Sequence, residues 1–195
     1  MSQNSNSRIH PKLFLLYLSF GSMVMLFSAF CSALIVRKGD IRQSWLDTPL
    51  PSPFLYSTII IIISSITIHL AYKFIADKKK FTLYSLLTLF LALVFVYFQW
   101  MGWSELQSKN IFLSGNPSGS YIYVISWVHG LHYLGGIVVL TILILKFRKI
   151  QIEFGNKMSF NILMQYWHFI GLVWVFLYLF FKFIKCNSIV NILLI

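Results

Sequence analysis

The chain has 195 residues, of which 58% are apolar and 11% are charged, and its mean hydropathy is +0.76. This composition excludes an ordinary soluble domain and is typical of a polytopic membrane protein. The formal net charge of +11 does not indicate a nucleic-acid partner, because the lysines and arginines punctuate the apolar runs instead of forming one patch.

Five uncharged apolar runs follow one another along the chain. They cover residues 13–36, 54–72, 81–104, 121–145 and 162–181. Each run is long enough to cross a hydrocarbon core of about 30 Å at about 1.5 Å per residue. The sequence therefore predicts an all-α polytopic membrane protein, a single bundle of five transmembrane helices over residues 1–195. Its loops are short, so no soluble domain is expected.

The basic residues that flank these runs predict the orientation. Ten lie on the side of the N-terminus, and six lie on the side of the C-terminus. The positive-inside rule places the N-terminus in the cytoplasm and the C-terminus outside. The two cysteines, Cys31 in the first run and Cys186 after the last, have no metal-binding spacing. Whether they form a disulfide stays open.

Two clusters of polar-tipped side chains interrupt the fourth and fifth apolar runs. A neutral polar group at that depth needs a protein partner, because lipid offers none. We therefore expect these two helices to face each other, or to share a cleft, through the clusters. Their members are Trp127, His129 and His132 in the fourth run and Tyr166, Trp167 and His168 in the fifth.

Histidines at membrane depth are compatible with haem ligation, a proton path or structural hydrogen bonds. His132 and His168 could ligate a haem b from two helices if those helices are offset by roughly a turn, and structural or lipid contacts are the preferred interpretation. For His168 we expect a neutral ring that binds no metal. Its hydrogen bond should come from a neighbouring helix or a lipid head group, because unpaired burial of the ring nitrogens costs about 1–3 kcal/mol.

The acidic residues are informative because of where they lie. All five occur in predicted loops or at helix ends, whereas a proton-coupled transporter usually carries a carboxylate in the membrane. The sequence also has no paired-carboxylate site, no Ser/His/Asp set and no phosphate-binding loop. We therefore expect no catalytic residues in this chain.

Two motifs resemble those of subunit III of haem-copper oxidases. His129-Gly130-Leu131-His132, followed by Gly135-Gly136, resembles the family's His-Gly-x-His-x-x-x-Gly signature. Tyr166-Trp167-His168-Phe169 resembles its closing Tyr-Trp-His-Phe motif, and Gln99 resembles a family glutamine on the third helix. The motifs lie on consecutive predicted helices in the family's order. Five helices resemble the short bacterial form, which lacks the first two of the seven in the long form.

The chain departs from this family at three positions where an acid is usual. Gly171 follows the second motif, Gly102 follows Gln99, and the matching region of the first helix reads Phe20-Gly21-Ser22. The roles that the family gives to those acids, such as tuning of proton uptake in the partner subunit, are therefore not assigned to these three positions.

The resemblance implies a non-catalytic subunit in the cytoplasmic membrane of a bacterium. Its partners would be the catalytic subunit I, the other oxidase subunits and structural phospholipids, and it would support stability and proton supply. Haem and copper would lie in the partner subunits and none in this chain. A cytochrome c oxidase is preferred over a quinol oxidase, although the electron donor docks on other subunits. A free-standing haem-b electron carrier using His132 and His168 is the alternative.

The resemblance also implies lipid-binding roles for individual residues. It implies that a packed, lipid-holding cleft is lined by His129, His132, Tyr166, Trp167 and His168. It further implies that Lys146 and Arg148, at the cytoplasmic end of the fourth helix, hold lipid phosphates, for which cationic donors are suited.

Overall fold

A computed structural model describes residues 11–38, 50–113, 117–149 and 154–193, without the side chains of 148–149, 154–156 and 185–193. This part of the chain contains five α-helices and no strand. All five are long and apolar enough to cross a membrane, so the prediction of an all-α protein with five transmembrane helices is confirmed. The side on which each terminus lies stays a prediction. The helices are α1 (Pro11–Lys38), α2 (Pro53–Lys73), α3 (Lys78–Ser108), α4 (Pro117–Lys149) and α5 (Phe154–Leu193).

Each helix contains its predicted apolar run and continues beyond it into flanking charged residues. Lysines are good helix formers and carry their charge away from the apolar core on a long stem, so a charge does not end a helix. Three helices start at a proline, whose fixed φ suits the first helical position. Those prolines are Pro11, Pro53 and Pro117.

α2 and α3 form a helical hairpin and pack closely along their length. The buried face of α3 carries small side chains, among them the fully buried Ser85 and Ala92. Thr67 and Thr88 share a hydrogen bond of 2.9 Å between their hydroxyl oxygens. Small and hydroxyl-bearing residues allow transmembrane helices to approach, because there is no hydrophobic force between helices in lipid.

The other helices build a bundle around this hairpin. α5 contacts α2 and α4, and α4 also contacts α3, so four helices enclose a core of aromatic side chains. In the described part of the chain, α1 contacts only α4 and α5. Phe20 of α1 stacks on Phe169 of α5, with ring centroids 4.1 Å apart. α1 therefore packs on one side of the bundle, against α4 and α5, and adds Phe27 and Leu34 to the buried core.

Candidate functional site

The interface between α4 and α5 is built on His129. Its Nε2 lies 3.0 Å from the backbone carbonyl oxygen of Ile170. A carbonyl only accepts, so Nε2 carries the proton and donates it. The ring is fully buried, 4.9 Å from the indole of Trp174 between centroids, and its Nδ1 has no hydrogen-bond partner among the described residues. His129 thus fixes α4 against the backbone of α5.

The aromatic residues of the second motif bind two different helices. The Tyr166 hydroxyl donates to the carbonyl oxygen of His132 on α4, at 2.7 Å. The Trp167 indole nitrogen donates to the Ser64 hydroxyl oxygen on α2, at 3.0 Å. This division follows from helix geometry, because consecutive residues on a helix point to different faces.

Trp174 repeats the pattern of Trp167 two turns further along α5. Its indole nitrogen donates to the Thr58 hydroxyl oxygen at 3.1 Å, and both tryptophans are fully buried. Two indole donors on α5 are therefore satisfied by two hydroxyls on α2. The numbering increases along α5 as it decreases along α2, so these two helices run antiparallel.

The remaining two motif histidines have other neighbours. His132 is partly buried, its Nδ1 lies 2.8 Å from the carbonyl oxygen of Val128 on its own helix, and its ring is 6.1 Å from that of Phe27. His168 is half-buried, and its ring centroid lies 6.0 Å from that of His69 on α2. The described residues give His168 no hydrogen bond, so the expected bond from a neighbouring helix is not formed, and a lipid head group stays a prediction.

This placement does not support the haem-b alternative. An opposed pair of axial ligands would require the rings of His132 and His168 to face each other. His132 lies beside α1, and His168 lies beside α2. Among the described residues, no group of three or more His, Cys, Asp or Glu side chains is placed to hold a metal ion. That haem and copper lie in partner subunits stays a prediction from the resemblance.

The predicted lipid-binding cations lie near the end of α4. Lys146 is exposed, while the Arg148 side chain lies outside the described residues. Cys31 is a buried free cysteine, and the Cys186 side chain also lies outside the described residues.

Trp127 does not belong to the interface between α4 and α5. Its side chain is 53% exposed, and it stacks on Trp103 of α3 with ring centroids 5.5 Å apart. Grouping it with His129 and His132 was therefore wrong, because positions two apart on a helix do not share a face.

The sequence reasoning missed the polar face of α2. Its buried hydroxyls accept the indole donors of α5, pair with α3, or accept from the amide nitrogen of Gln99. The available signal was the run of small polar residues in an isoleucine-rich helix, with Ser57 and Ser64 two turns apart on one face. The residues are Ser57, Thr58, Ser64 and Thr67.

Comparison with known proteins places the chain in a family. A family model described as cytochrome c oxidase subunit III matches residues 12–185. The chain is similar to the protein named cytochrome c oxidase subunit 3 of Xenopus laevis, at 30% identity over 160 residues (78% of this chain, 60% of the relative). It is also similar to the proteins of that name from Emericella nidulans, at 29% identity over 161 residues (79% and 59%), and Allomyces macrogynus, at 28% over 160 residues (78% and 57%). The chain spans about three fifths of the length of these relatives, and it belongs to the cytochrome c oxidase subunit III family.

Proposed function

We propose that this chain is the non-catalytic subunit III of a haem-copper terminal oxidase, and specifically of a cytochrome c oxidase, in aerobic respiratory electron transport. The observation that carries the proposal is the family match over residues 12–185, which includes both histidine motifs. Its partners would be the catalytic subunit I, which would hold haem and copper, and the other oxidase subunits.

The geometry of the contacts that α5 makes with α2 and α4 supports a structural role. The His129 Nε2 and the indole nitrogens of Trp167 and Trp174 are bonded to neighbouring helices. Such bonds stabilise a bundle, since lipid cannot satisfy the same donors. We propose that this rigid bundle supports the stability and the proton supply of subunit I.

We further propose that the chain resides in the cytoplasmic membrane of a bacterium, as its resemblance to the short five-helix form implies. Its neighbouring genes test this proposal. Genes for a catalytic oxidase subunit and a copper subunit beside it on a bacterial chromosome are expected. A gene carried by an organelle genome would contradict the bacterial assignment and leave the family unchanged.

Affinity purification tests the main proposal. A tagged chain isolated from its native membrane should bring down a haem-containing oxidase subunit in a fixed ratio. When the chain is then dissociated, the Soret band should stay with the partner. A Soret band that remains on the isolated chain and disappears in His132→Ala would contradict the proposal and favour an electron carrier.

The lipid role is tested at the end of α4. Replacing Lys146 and Arg148 together by alanine should lower the amount of anionic lipid bound to the complex and speed inactivation during turnover, because phosphates lose their cationic donors. Initial oxygen reduction should stay near the wild-type rate. Lys182→Ala, an exposed lysine near the end of the fifth predicted span, is the matched control. Unchanged lipid content by mass spectrometry would contradict the assignment.

A further inference from the structure

Polar side chains meet at the surface of the bundle where α2 and α5 run side by side. Ser65 and His69 lie one turn apart on α2, and His168 and Gly171 lie one turn apart on α5. The rings of His69 and His168 are 6.0 Å apart between centroids, with their planes inclined by 52°. A Cβ built on Gly171 would lie 3.3 Å from the Ser65 Oγ. Because the two helices are antiparallel, these contacts form two levels of one site, with the histidines nearer the C-terminal end of α2.

The three polar side chains of this site are accessible and lack hydrogen-bond partners. His69 is exposed, and Ser65 and His168 are half-buried. Within the described part of the chain none of the three has a side-chain hydrogen bond, although the adjacent Ser64 and Trp167 are bonded to each other. A neutral imidazole offers one N–H and a serine offers one O–H, and a donor at membrane depth that finds no acceptor is costly. The site therefore requires acceptor oxygens from outside the chain.

Gly171 leaves room for those oxygens, and the surface beyond it is apolar. A larger residue at position 171 would place its side chain against Ser65, one turn from His168 on the same face of α5. Farther into the membrane, Ile62 of α2 and Leu172 of α5 are 48% and 68% exposed. A ligand that fits this surface therefore combines acceptor oxygens with apolar chains.

A cation lies on the other side of the histidines, towards the end of α2. Lys73 follows His69 by one turn on the same face. It is exposed and has no ion-pair partner among the described residues. The two levels are about 6 Å apart along the helix, at about 1.5 Å per residue. The head-group region on each side of a bilayer is roughly 5–8 Å thick. With Lys73 at the level of the phosphates, the histidines lie at the inner edge of that region, where glycerol esters join the head group to the acyl chains.

We propose that this site binds one diacyl glycerophospholipid. Its phosphate is paired with the Lys73 ammonium. Its two ester carbonyl oxygens accept the N–H groups of His69 and His168, and its acyl chains follow the apolar surface beyond them. An ether-linked lipid has no carbonyl oxygen, so the site prefers the ester over its ether analogue. This site is separate from the lipid-binding cations proposed at the end of α4.

Lipid competition tests the site in the native assembly that contains the chain, placed in nanodiscs of diether phosphatidylcholine. The probes are diacyl phosphatidylglycerol and its diether analogue, and native mass spectrometry counts the lipids that the assembly retains. We expect the wild type to prefer the diacyl form by roughly two- to tenfold for each hydrogen bond to a carbonyl. The double variant His69→Phe, His168→Phe keeps both rings and removes both N–H groups, so this preference should disappear.

Two matched pairs of variants separate the ligand from the fold. Lys73→Ala should weaken both probes alike, because both carry the phosphate. Lys79→Ala changes another exposed lysine nearby and should bind as the wild type does. Gly171→Asp brings a carboxylate that competes for the same donors and repels the phosphate. It should therefore bind the diacyl form more weakly than Gly171→Ala, which adds the same Cβ without the charge.

Three results would overturn the proposal. The first is the same ratio of diacyl to diether lipid in the wild type and the double variant, which would indicate partition from bulk lipid only. The second is displacement of the bound lipid by inorganic phosphate, which would identify a free-phosphate site. The third is complete cross-linking of His69→Cys to another subunit, which would show that a partner chain covers the site. Because the readout is lipid binding, none of these results bears on the assignment to an oxidase.

Discussion

At the scale of single residues, Trp167 and Trp174 show how an apolar helix is held in a defined position. Each indole offers one N–H, and each finds a hydroxyl oxygen of α2 about 3 Å away. The Thr58 hydroxyl also donates to the carbonyl of Phe54 at 2.7 Å, so it can accept from an indole. These two hydrogen bonds fix the position of α5 relative to α2, whereas van der Waals packing alone would hold the two helices less specifically.

The Trp167–Ser64 bond predicts a measurable coupling. In a double-mutant cycle, Trp167→Phe and Ser64→Ala should show a coupling of about 0.5–1.5 kcal/mol in the free energy of unfolding, since one neutral hydrogen bond is lost. Unfolding in a denaturing detergent is the measurement. Trp100→Phe, at an exposed indole, is the control and should change little. Strictly additive effects of the two substitutions would contradict the bond.

The motif histidines could be predicted as polar groups in apolar runs, but their partners could not. His129 binds a backbone carbonyl of α5, and any residue type at position 170 would have supplied that group. The role of Ser57 and Thr58 was not predicted, because small hydroxyl side chains can bond to carbonyls of their own helix. Nothing in such a sequence requires a partner on another helix.

At the scale of helices, Gly102 and Gly135 make opposite demands on packing. A Cβ at Gly102 would overlap the ring of Phe54 on α2, whereas a Cβ at Gly135 would meet nothing within 4 Å. Gly102 therefore sets how closely α2 and α3 approach. It also stands where the family usually has an acid, so the described packing leaves no room for that side chain.

These two glycines give a matched pair of substitutions. Gly102→Ala should destabilise the bundle by about 1–3 kcal/mol through overpacking. Gly135→Ala should be neutral or stabilising by up to about 1 kcal/mol, since alanine favours the helix. Thermal unfolding in detergent is the measurement. A Gly102→Ala protein as stable as Gly135→Ala would show that α2 and α3 can move apart without loss.

Asp77 caps α3 and predicts a pH dependence. Its carboxylate accepts from the backbone N–H groups of Lys79 and Lys80, at 3.1 and 3.3 Å. The bond from the Lys80 N–H is the main cause that lowers the pKa of Asp77. A lowered pKa in the folded state means that the cap stabilises the protein above the unfolded value of about 3.9, and that this stabilisation is lost as the pH falls.

The melting temperature of Asp77→Ala should therefore lie below that of the wild type at pH 7. The difference should shrink as the pH falls through 4 and below. Asp77→Asn, which keeps a capping side chain without the charge, should lie between the two at pH 7. A difference between wild type and Asp77→Ala that stays constant from pH 7 to pH 3 would contradict the role of the ionised cap.

The positions of charged residues predicted the membrane-spanning part of each helix, but they did not predict where each helix begins and ends. α3 begins at Lys78, where three successive lysines belong to its first turn. An uncharged run marks the part of a helix that lipid surrounds. The hydrogen-bonded backbone continues into the head-group region. It stops at a cap such as Asp77 or at a turn such as Lys109–Asn110.

At the scale of the whole molecule, the sequence predicts the order of the helices along the chain but not which helices pack against each other. α1 contacts α4 and α5, far along the sequence, and not α2 in the described residues. The core and the lipid are equally apolar, so an exposed residue such as Leu172 and a buried one such as Ile170 look alike in sequence. The hydrophobic pattern therefore could not predict which face of each helix packs in the bundle and which faces lipid.

Orientation in the membrane is tested by cysteine labelling. In a Cys31→Ser, Cys186→Ser background, Ser108→Cys should react with a membrane-impermeant maleimide on intact spheroplasts. Lys79→Cys should react only after lysis, because the positive-inside rule places that end in the cytoplasm. Both positions are exposed, so access through the protein is not the limit. The reverse pattern would place the N-terminus outside.

The paired indole bonds also constrain movement of α5 along its own axis. Trp167 and Trp174 reach Ser64 and Thr58 at two levels of α2. A shift of α5 along its axis by one helical turn, about 5.4 Å, would break both bonds together and leave two buried indole N–H groups without an acceptor. α5 is thus hydrogen-bonded to α2 at two levels, and an axial displacement of either helix should move the two helices together as a rigid pair.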